Sequence, residues 1–305
     1  MGVLYFFESI RSPVLDQIMS LITHLGEEAV FLVAALLIFW CVDKNRGYYL
    51  MAVGFVGTIL NQFLKLVFRI PRPWVRDPNF TIVESARAEA TGYSFPSGHT
   101  QNVVGTFAAI SITTRHNWLR AAAWIPVILV PISRMYLGVH TPLDVGVSFV
   151  LALVLVFLLH PLFADADRNP GRLYLILLIM AAAAASYVLF VEFFPFPADI
   201  DPDNYAEGVK NAYSLLGAVL GVNVAHFIDD RFLRFDTAAP IGGQVLKLII
   251  GFAVVLAVKE GLKPLLNMLF GGHLASNALR YFAVVIVAGC LWPACFPLFS
   301  RGCRR

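Results

Sequence analysis

The sequence predicts an all-α fold, a polytopic transmembrane helix bundle, and three observations carry that expectation. Of 305 residues, 58% are hydrophobic and only 14% are charged, and the mean hydropathy is +0.73, far more apolar than an ordinary soluble domain. Apolar runs close to the roughly 20 residues that cross a bilayer recur from one end of the chain to the other, which leaves no room for a sizeable soluble domain. The charges between those runs are biased in sign from one connection to the next, as loops on two faces of a membrane are.

The first run, 4–25, is amphipathic, and Ser12-Pro13 breaks it into two helices. Further spans are read at 28–42, 47–69, 98–114, 118–137 and 142–163, completing a six-helix core over residues 1–165. Four more, at 173–194, 209–227, 243–262 and 278–299, make up residues 166–305, whose role the sequence does not assign. The opening Met1-Gly2-Val3-Leu4-Tyr5 has no basic region leading to a small-residue cleavage site, so no removed signal peptide is expected. Cys41, Cys290, Cys295 and Cys303 lie in or beside spans and at the C-terminus, away from the polar loops, and read as packing residues rather than a disulfide framework. The net charge of +3, with no basic tract, aromatic-interleaved patch or zinc spacing, excludes nucleic acid as a partner.

Loop charge orients the bundle. Lys44 and Arg46, Arg115 and Arg120, Arg168 and Arg172, Arg231 and Arg234, and the tail Arg301, Arg304 and Arg305 fall on one set of connections, which the positive-inside rule makes cytoplasmic. The other set contains the long 70–97 loop, the turn at His140 and an acidic, Pro-rich stretch at 192–207. Those connections face outward.

Three polar patches interrupt the apolar chain on that outward set: Lys65 with Arg72-Pro73, then Pro96-Ser97-Gly98-His99, then Ser133-Arg134 with His140 and Asp144. Ionisable groups beside membrane spans are costly and mark function by default. His99 and His140 stand 41 positions apart, which is two antiparallel crossings at about 1.5 Å per residue, so both return to the same surface. Ser97 is a good N-cap, Gly98 lets a ligand approach the backbone, and a helix N-terminus attracts anions. Asp144, four residues after His140, is placed to accept a proton from one imidazole nitrogen and leave the other as nucleophile or base. Arg presents a planar fork to phosphate oxygens and Lys a compact charge. Three cations, two histidines and a carboxylate are the parts list for phosphoryl transfer.

These residues resemble the three-part signature of the type 2 phosphatidic acid phosphatase (PAP2) superfamily: Lys-x6-Arg-Pro from Lys65 to Pro73, Pro-Ser-Gly-His at 96–99, and Ser-Arg-x5-His-x3-Asp from Ser133 to Asp144. The resemblance covers roughly residues 10 to 165, and no signature position departs. It implies that His140 is the nucleophile that forms a phosphohistidine, that Asp144 orients it, and that His99 protonates the leaving oxygen. Lys65, Arg72, Arg134, Ser97 and the Gly98 amide are then expected to bind the phosphoryl oxygens. No cofactor and no metal are expected, because three cations stand where Mg²⁺ would and no carboxylate cluster accompanies the motifs. The added C-terminal spans are similar in layout to the sphingosine-1-phosphate phosphatase branch, although that branch carries Pro-Ser-Thr-His where this chain has Pro-Ser-Gly-His.

The expected function is hydrolysis of a lipid phosphate or diphosphate, of the undecaprenyl diphosphate, phosphatidate or sphingoid-phosphate type, at the outer face of the membrane, with a bacterial inner membrane as the expected location. A lipid phosphotransferase passing the same phosphoryl group to a lipid or sugar acceptor is the alternative, since only the acceptor differs. A non-catalytic anion channel has no use for an oriented imidazole. A second copy of the chain is a candidate partner through the C-terminal helices.

Overall fold

The computed structural model describes residues 1–164 and 169–300, and among these every regular element is helical. Arg168, Arg301, Cys303, Arg304 and Arg305 lie outside the described residues. Among the described residues, seven helices are long and apolar enough to cross a membrane, at Lys44–Arg76, Asn117–Tyr136, Pro142–Ala164, Gly171–Phe193, Pro202–Leu233, Ile241–Leu269 and Ser276–Leu298. An eighth crossing is available to Pro13–Gly26 together with α3 (Glu28–Cys41), the two bent by 47° at their junction. Cys41, Cys290 and Cys295 are free thiols.

The expected first span, 4–25, is corrected. It consists of α1 (Gly2–Ser9) and α2 (Pro13–Thr23), with Ser12 capping the second by accepting from the Leu15 amide at 3.4 Å. The 11 residues of α2 rise only about 17 Å, little more than half of a hydrocarbon core. Polar groups along the whole length of the segment meet the single loop 77–89. Tyr5 Oη donates to Asp77 at 2.6 Å, Glu8 accepts from the Thr81 amide at 2.9 Å, Ser20 Oγ lies 3.0 Å from Ser85 Oγ, and His24 Nδ1 lies 3.5 Å from Glu89. The segment therefore follows the 77–89 loop, with Val14, Ile18 and Leu21 exposed, and α2 can reach across a bilayer only together with Glu28–Cys41.

Two compact units interleave along the chain. The first comprises Met1–Ala34, Leu50–Pro161 and Phe196–Gly208; the second comprises Ala35–Tyr49, Leu162–Pro195 and the chain from Val209 onward. In the first unit, α4 (Lys44–Phe68) enters from residue 50, α5 (Pro73–Arg76) is a single turn, and α6 (Gly98–Thr113), α7 (Asn117–Tyr136) and α8 (Pro142–Ala164) form the core. Val103, Val104, Val127, Val130 and Ala152 are fully buried between the last three, with Ile22 of α2 packed on them. At 16 residues, α6, expected as a span at 98–114, is shorter than the seven helices that are long and apolar enough to cross, and its first turn carries the second polar patch.

Two glycines let the chain reach the site. A Cβ on Gly26 would stand 2.9 Å from the His99 carbonyl oxygen, so the turn after α2 touches α6 only because Gly26 has none. Gly138 has φ +83°, the left-handed region open to glycine, and turns the chain from α7 back to His140.

In the second unit, α9 (Pro170–Phe193), α10 (Pro202–Ile228, entering from residue 209), α11 (Ile241–Leu269) and α12 (Ser276–Ile286) supply the remaining crossings. Lys44 pairs with Asp229 at 2.7 Å, Tyr174 donates to Asp230 at 2.8 Å, and the rings of Tyr48 and Tyr174 flank His226. Lys247 is fully buried, donating to the Thr237 carbonyl at 2.8 Å with its ammonium 4.4 Å from the Phe296 ring centre. A buried amine is tolerable when acceptors and a π face replace water.

The placement of α1 is directly testable. With the native cysteines replaced, the double variant Glu8→Cys/Thr81→Cys is expected to form an intramolecular disulfide in oxidised membranes, read as a cross-linked fragment after proteolysis. No cross-link, with the two introduced thiols labelled only from opposite faces of the membrane, would restore the spanning reading of 4–25.

Candidate active site

Local chain rules place the site residues before any long-range packing is considered. At the start of α8, Thr141 Oγ1 accepts from the Asp144 amide at 3.3 Å, and Asp144 Oδ2 accepts from the Thr141 amide at 2.8 Å. This reciprocal pair is a capping box, and Pro142 follows its cap at the first helical position, where proline costs nothing. It holds the Asp144 carboxylate beside His140. At the start of α6, Ser97 Oγ accepts from the Thr100 amide at 3.4 Å and from the Thr100 hydroxyl at 3.0 Å. The amides of Gly98 and His99 are then the first two of the helix, with no acceptor available inside it.

Hydrogen bonds tie the three patches into one place within the first unit. Arg72 donates from Nη1 to the Val139 carbonyl at 3.0 Å and lies 3.0 Å from His140 Nε2, while its other nitrogens donate to the carbonyls of Gly92 at 3.1 Å and Thr91 at 2.7 Å. Lys65 Nζ donates to the Tyr93 carbonyl. The Ser97 amide donates to the Asp144 carbonyl at 3.2 Å, joining the second patch to the third. Arg134 Nη1 donates to Thr23 Oγ1 at 2.9 Å.

His140 and Asp144 are close without a closed hydrogen bond. Nδ1 of His140 stands 3.6 Å from Asp144 Oδ2, and that oxygen takes its protons from Ser94 Oγ at 2.6 Å and from the Thr141 amide. Catalytic hydrogen bonds are often long until substrate tightens them. Burial pushes His140 well below the ordinary imidazole range, and the cations of Arg72, Arg134 and Lys65 push it the same way. A neutral imidazole with a free lone pair is the form a nucleophile needs. His99 Nε2 lies 3.8 Å from Glu89 Oε2, and Glu89 is held below the usual carboxylate range, chiefly by His99.

Charge is the property that distinguishes this place. Lys65, Arg72 and Arg134 are 6%, 6% and 0% exposed, and among the described residues the only buried carboxylate beside them is Asp144. Among the buried groups the cations exceed the carboxylates by two, with Glu89, 34% exposed and 3.8 Å from His99, a partly open carboxylate at the margin; a buried ion without a partner costs several kcal/mol. A phosphate monoester dianion carries the charge that balances that excess.

All eight residues expected from the sequence, Lys65, Arg72, Ser97, Gly98, His99, Arg134, His140 and Asp144, fall in this region. Sequence reading missed Ser94, Thr23 and Glu89, which carry no helical period and sit in loops or at a helix end. It also missed the buried Asn61 on α4, although a spacing of four from Lys65 puts it on the same helix face. Among the described residues, His24, Glu27 and Glu89 bring ligand atoms within 4.8 Å of one another, one imidazole and two carboxylates at the margin of the site.

A polytopic helical membrane protein with a buried cluster of cations and imidazoles is the class that fold and chemistry define, and the comparisons refine it. Residues 46–168 match the sequence profile of the PAP2 superfamily, and residues 213–302 match that of the PAP2 superfamily phosphatase transmembrane extension. The chain is 31% identical over 146 residues to an undecaprenyl-diphosphatase of Sulfolobus acidocaldarius, covering 47% of this chain and 68% of that protein. It is 32% identical over 163 residues to undecaprenyl-diphosphatase BcrC of Bacillus subtilis, covering 52% and 79%. Against sphingosine-1-phosphate phosphatase 1 of Rattus norvegicus it is 25% identical over 271 residues, which is 82% of this chain and 61% of that longer protein. No solved structure gives a significant match. The chain belongs to the PAP2 superfamily.

Gly98 provides a test of ligand approach. The nearest atom to a Cβ built there is Asn61 Oδ1 at 3.8 Å, ordinary contact distance, so the fold itself accepts alanine. Gly98→Ala is expected to leave the thermal midpoint within about 2 °C, since a surface-like change stays near ±0.5 kcal/mol, while lowering phosphate release at least roughly tenfold because the methyl stands in the ligand's space. Full activity in that variant would show that nothing approaches the Gly98 backbone.

Proposed function

We propose that this chain is a membrane lipid phosphate or diphosphate phosphatase that works without a metal and through a phosphohistidine on His140. The observation that carries the reading is the gathering of three buried cations, Lys65, Arg72 and Arg134, about a single buried carboxylate, Asp144, within the first unit. Names of the relatives agree in chemistry, being undecaprenyl-diphosphatases, a phosphatidylglycerophosphatase and sphingosine-1-phosphate phosphatases. Their substrates share a phosphate at the end of a lipid.

In this reading the three cations and the first two amides of α6 hold the non-bridging oxygens. His140 Nε2 attacks phosphorus; the P–N bond forms as the P–O bond to the lipid breaks, and His99 passes a proton to the departing oxygen. Asp144 stabilises the positive charge that grows on His140. Water then attacks phosphorus, His99 takes up its proton, and the P–N bond breaks to release phosphate and neutral imidazole. Arg72, 3.0 Å from the attacking nitrogen, is close enough to pass onto oxygens of a group arriving there. Loop charge supports an outward-facing site.

His140→Ala in the detergent-purified chain is expected to cut turnover by roughly a thousandfold or more, as loss of a nucleophile does. Rapid acid-free quenching of the native protein with labelled substrate should place the label on His140. Full activity in the variant would eliminate the mechanism. EDTA is expected to leave the rate nearly unchanged. A large loss restored by Mg²⁺ would instead assign the work to an ion, with the His24, Glu27 and Glu89 group the first place to look.

A further inference from the structure

Buried polar side-chain atoms without a partner are few in folded proteins, and each one calls for an explanation. Among the described residues of the first unit they are confined to four side chains: Asn61, His99, Arg134 and His140. Three of these are site residues already. Asn61 is the fourth, and both its amide nitrogen and its amide oxygen are orphaned although the residue is only 3% exposed.

Its position explains what it faces. Gly57, Asn61 and Lys65 follow one another at intervals of one turn along α4, so they share a face. At the level of Lys65 that face meets Tyr93; at Asn61 it meets Gly98, with 3.8 Å from Oδ1 to the point where a Cβ would stand. At Gly57 the Gln101 amide lies so close to the helix that a Cβ would be 2.4 Å from its nitrogen. Asn61 thus lies buried on the face of α4 that carries Lys65, opposite the first turn of α6. It stands about 6 Å deeper along α4 than Lys65, on the side toward the middle of the helix.

We infer that Asn61 hydrogen-bonds the part of the lipid that lies just inward of the scissile phosphate, and that it selects lipid phosphates bearing a hydroxyl within two carbons of the phosphoester. This rests on the phosphatase reading above and deepens it. A carboxamide offers donors and an acceptor at once, and a hydroxyl returns both. A plain alkyl or prenyl chain returns neither and leaves the amide buried and unpaired, a penalty of about 1–3 kcal/mol. Sites built to bond a hydroxyl reject the analogue lacking it for this reason.

The test compares two substrates of equal chain length, a 2-hydroxy lysophosphatidate and a straight-chain alkyl monophosphate, on the full native chain and on Asn61→Leu. Native protein is expected to favour the hydroxyl lipid in kcat/KM, and Asn61→Leu to lose at least tenfold more on that substrate than on the alkyl phosphate. The thermal midpoint of the leucine variant should equal or exceed that of the native chain, because the change removes an unpaired buried amide. Equal losses on both substrates, as a bridging water or a structural role would give, overturn the assignment. So does a lowered midpoint together with unchanged selectivity. If the native chain releases phosphate from neither lipid but does so from a prenyl diphosphate, this inference alone falls; release from none of the three overturns the phosphatase reading with it. If the native chain hydrolyses both lipids and the variant treats both alike, only the role of Asn61 falls.

Discussion

Three cations and one carboxylate occupy a region from which the apolar helices exclude water, and the rest of the first unit follows from that imbalance. Burying each ion costs several kcal/mol unless partners replace its hydration, and here the chain supplies them mostly as backbone carbonyls. Arg72 is held by the carbonyls of Thr91, Gly92 and Val139, and Lys65 by that of Tyr93. Carbonyl dipoles solvate a cation without neutralising it. The guanidinium and ammonium groups therefore keep their charge, and their orientation is fixed before any anion arrives, the preorganisation on which transition-state stabilisation depends.

The long loop between α4 and α6 has a structural task that its irregular sequence conceals. Its residues 91–94 provide three carbonyls to the cations and the Ser94 hydroxyl to Asp144, while residues 77–89 provide the ledge along which α1 and α2 lie. Helix ends are held by capping, and the loop is held by the cations themselves. Removing a cation would free loop carbonyls as well as weaken an anion site, so the two functions of each residue are energetically coupled.

Asp144 shows how one side chain serves stability and chemistry together. Its carboxylate closes the capping box of α8 and takes the Ser94 proton, which fixes it in place at 3.6 Å from the imidazole. The spacing His140-x3-Asp144 reads from sequence as an imidazole–carboxylate hydrogen bond, and the cap is what holds that bond open. The same cap ensures that the carboxylate cannot turn away from the imidazole.

Sequence alone determined the membrane class and the helical content, and it named eight candidate residues that the fold gathers in one region, because hydropathy, helix rise and motif spacing act locally or through simple counting. It read the break at Ser12-Pro13 as the structure has it but counted 4–25 among the spans; each of the two helices is too short to cross by itself, and the polar partners that hold them come from residues 77–89. It also passed over Asn61, Glu89 and Ser94. An asparagine on an apolar helix, or a serine and a glutamate in a loop, carries no signal until the fold shows that water is gone and which partners are missing, and that depends on contacts between distant segments which only the tertiary structure decides.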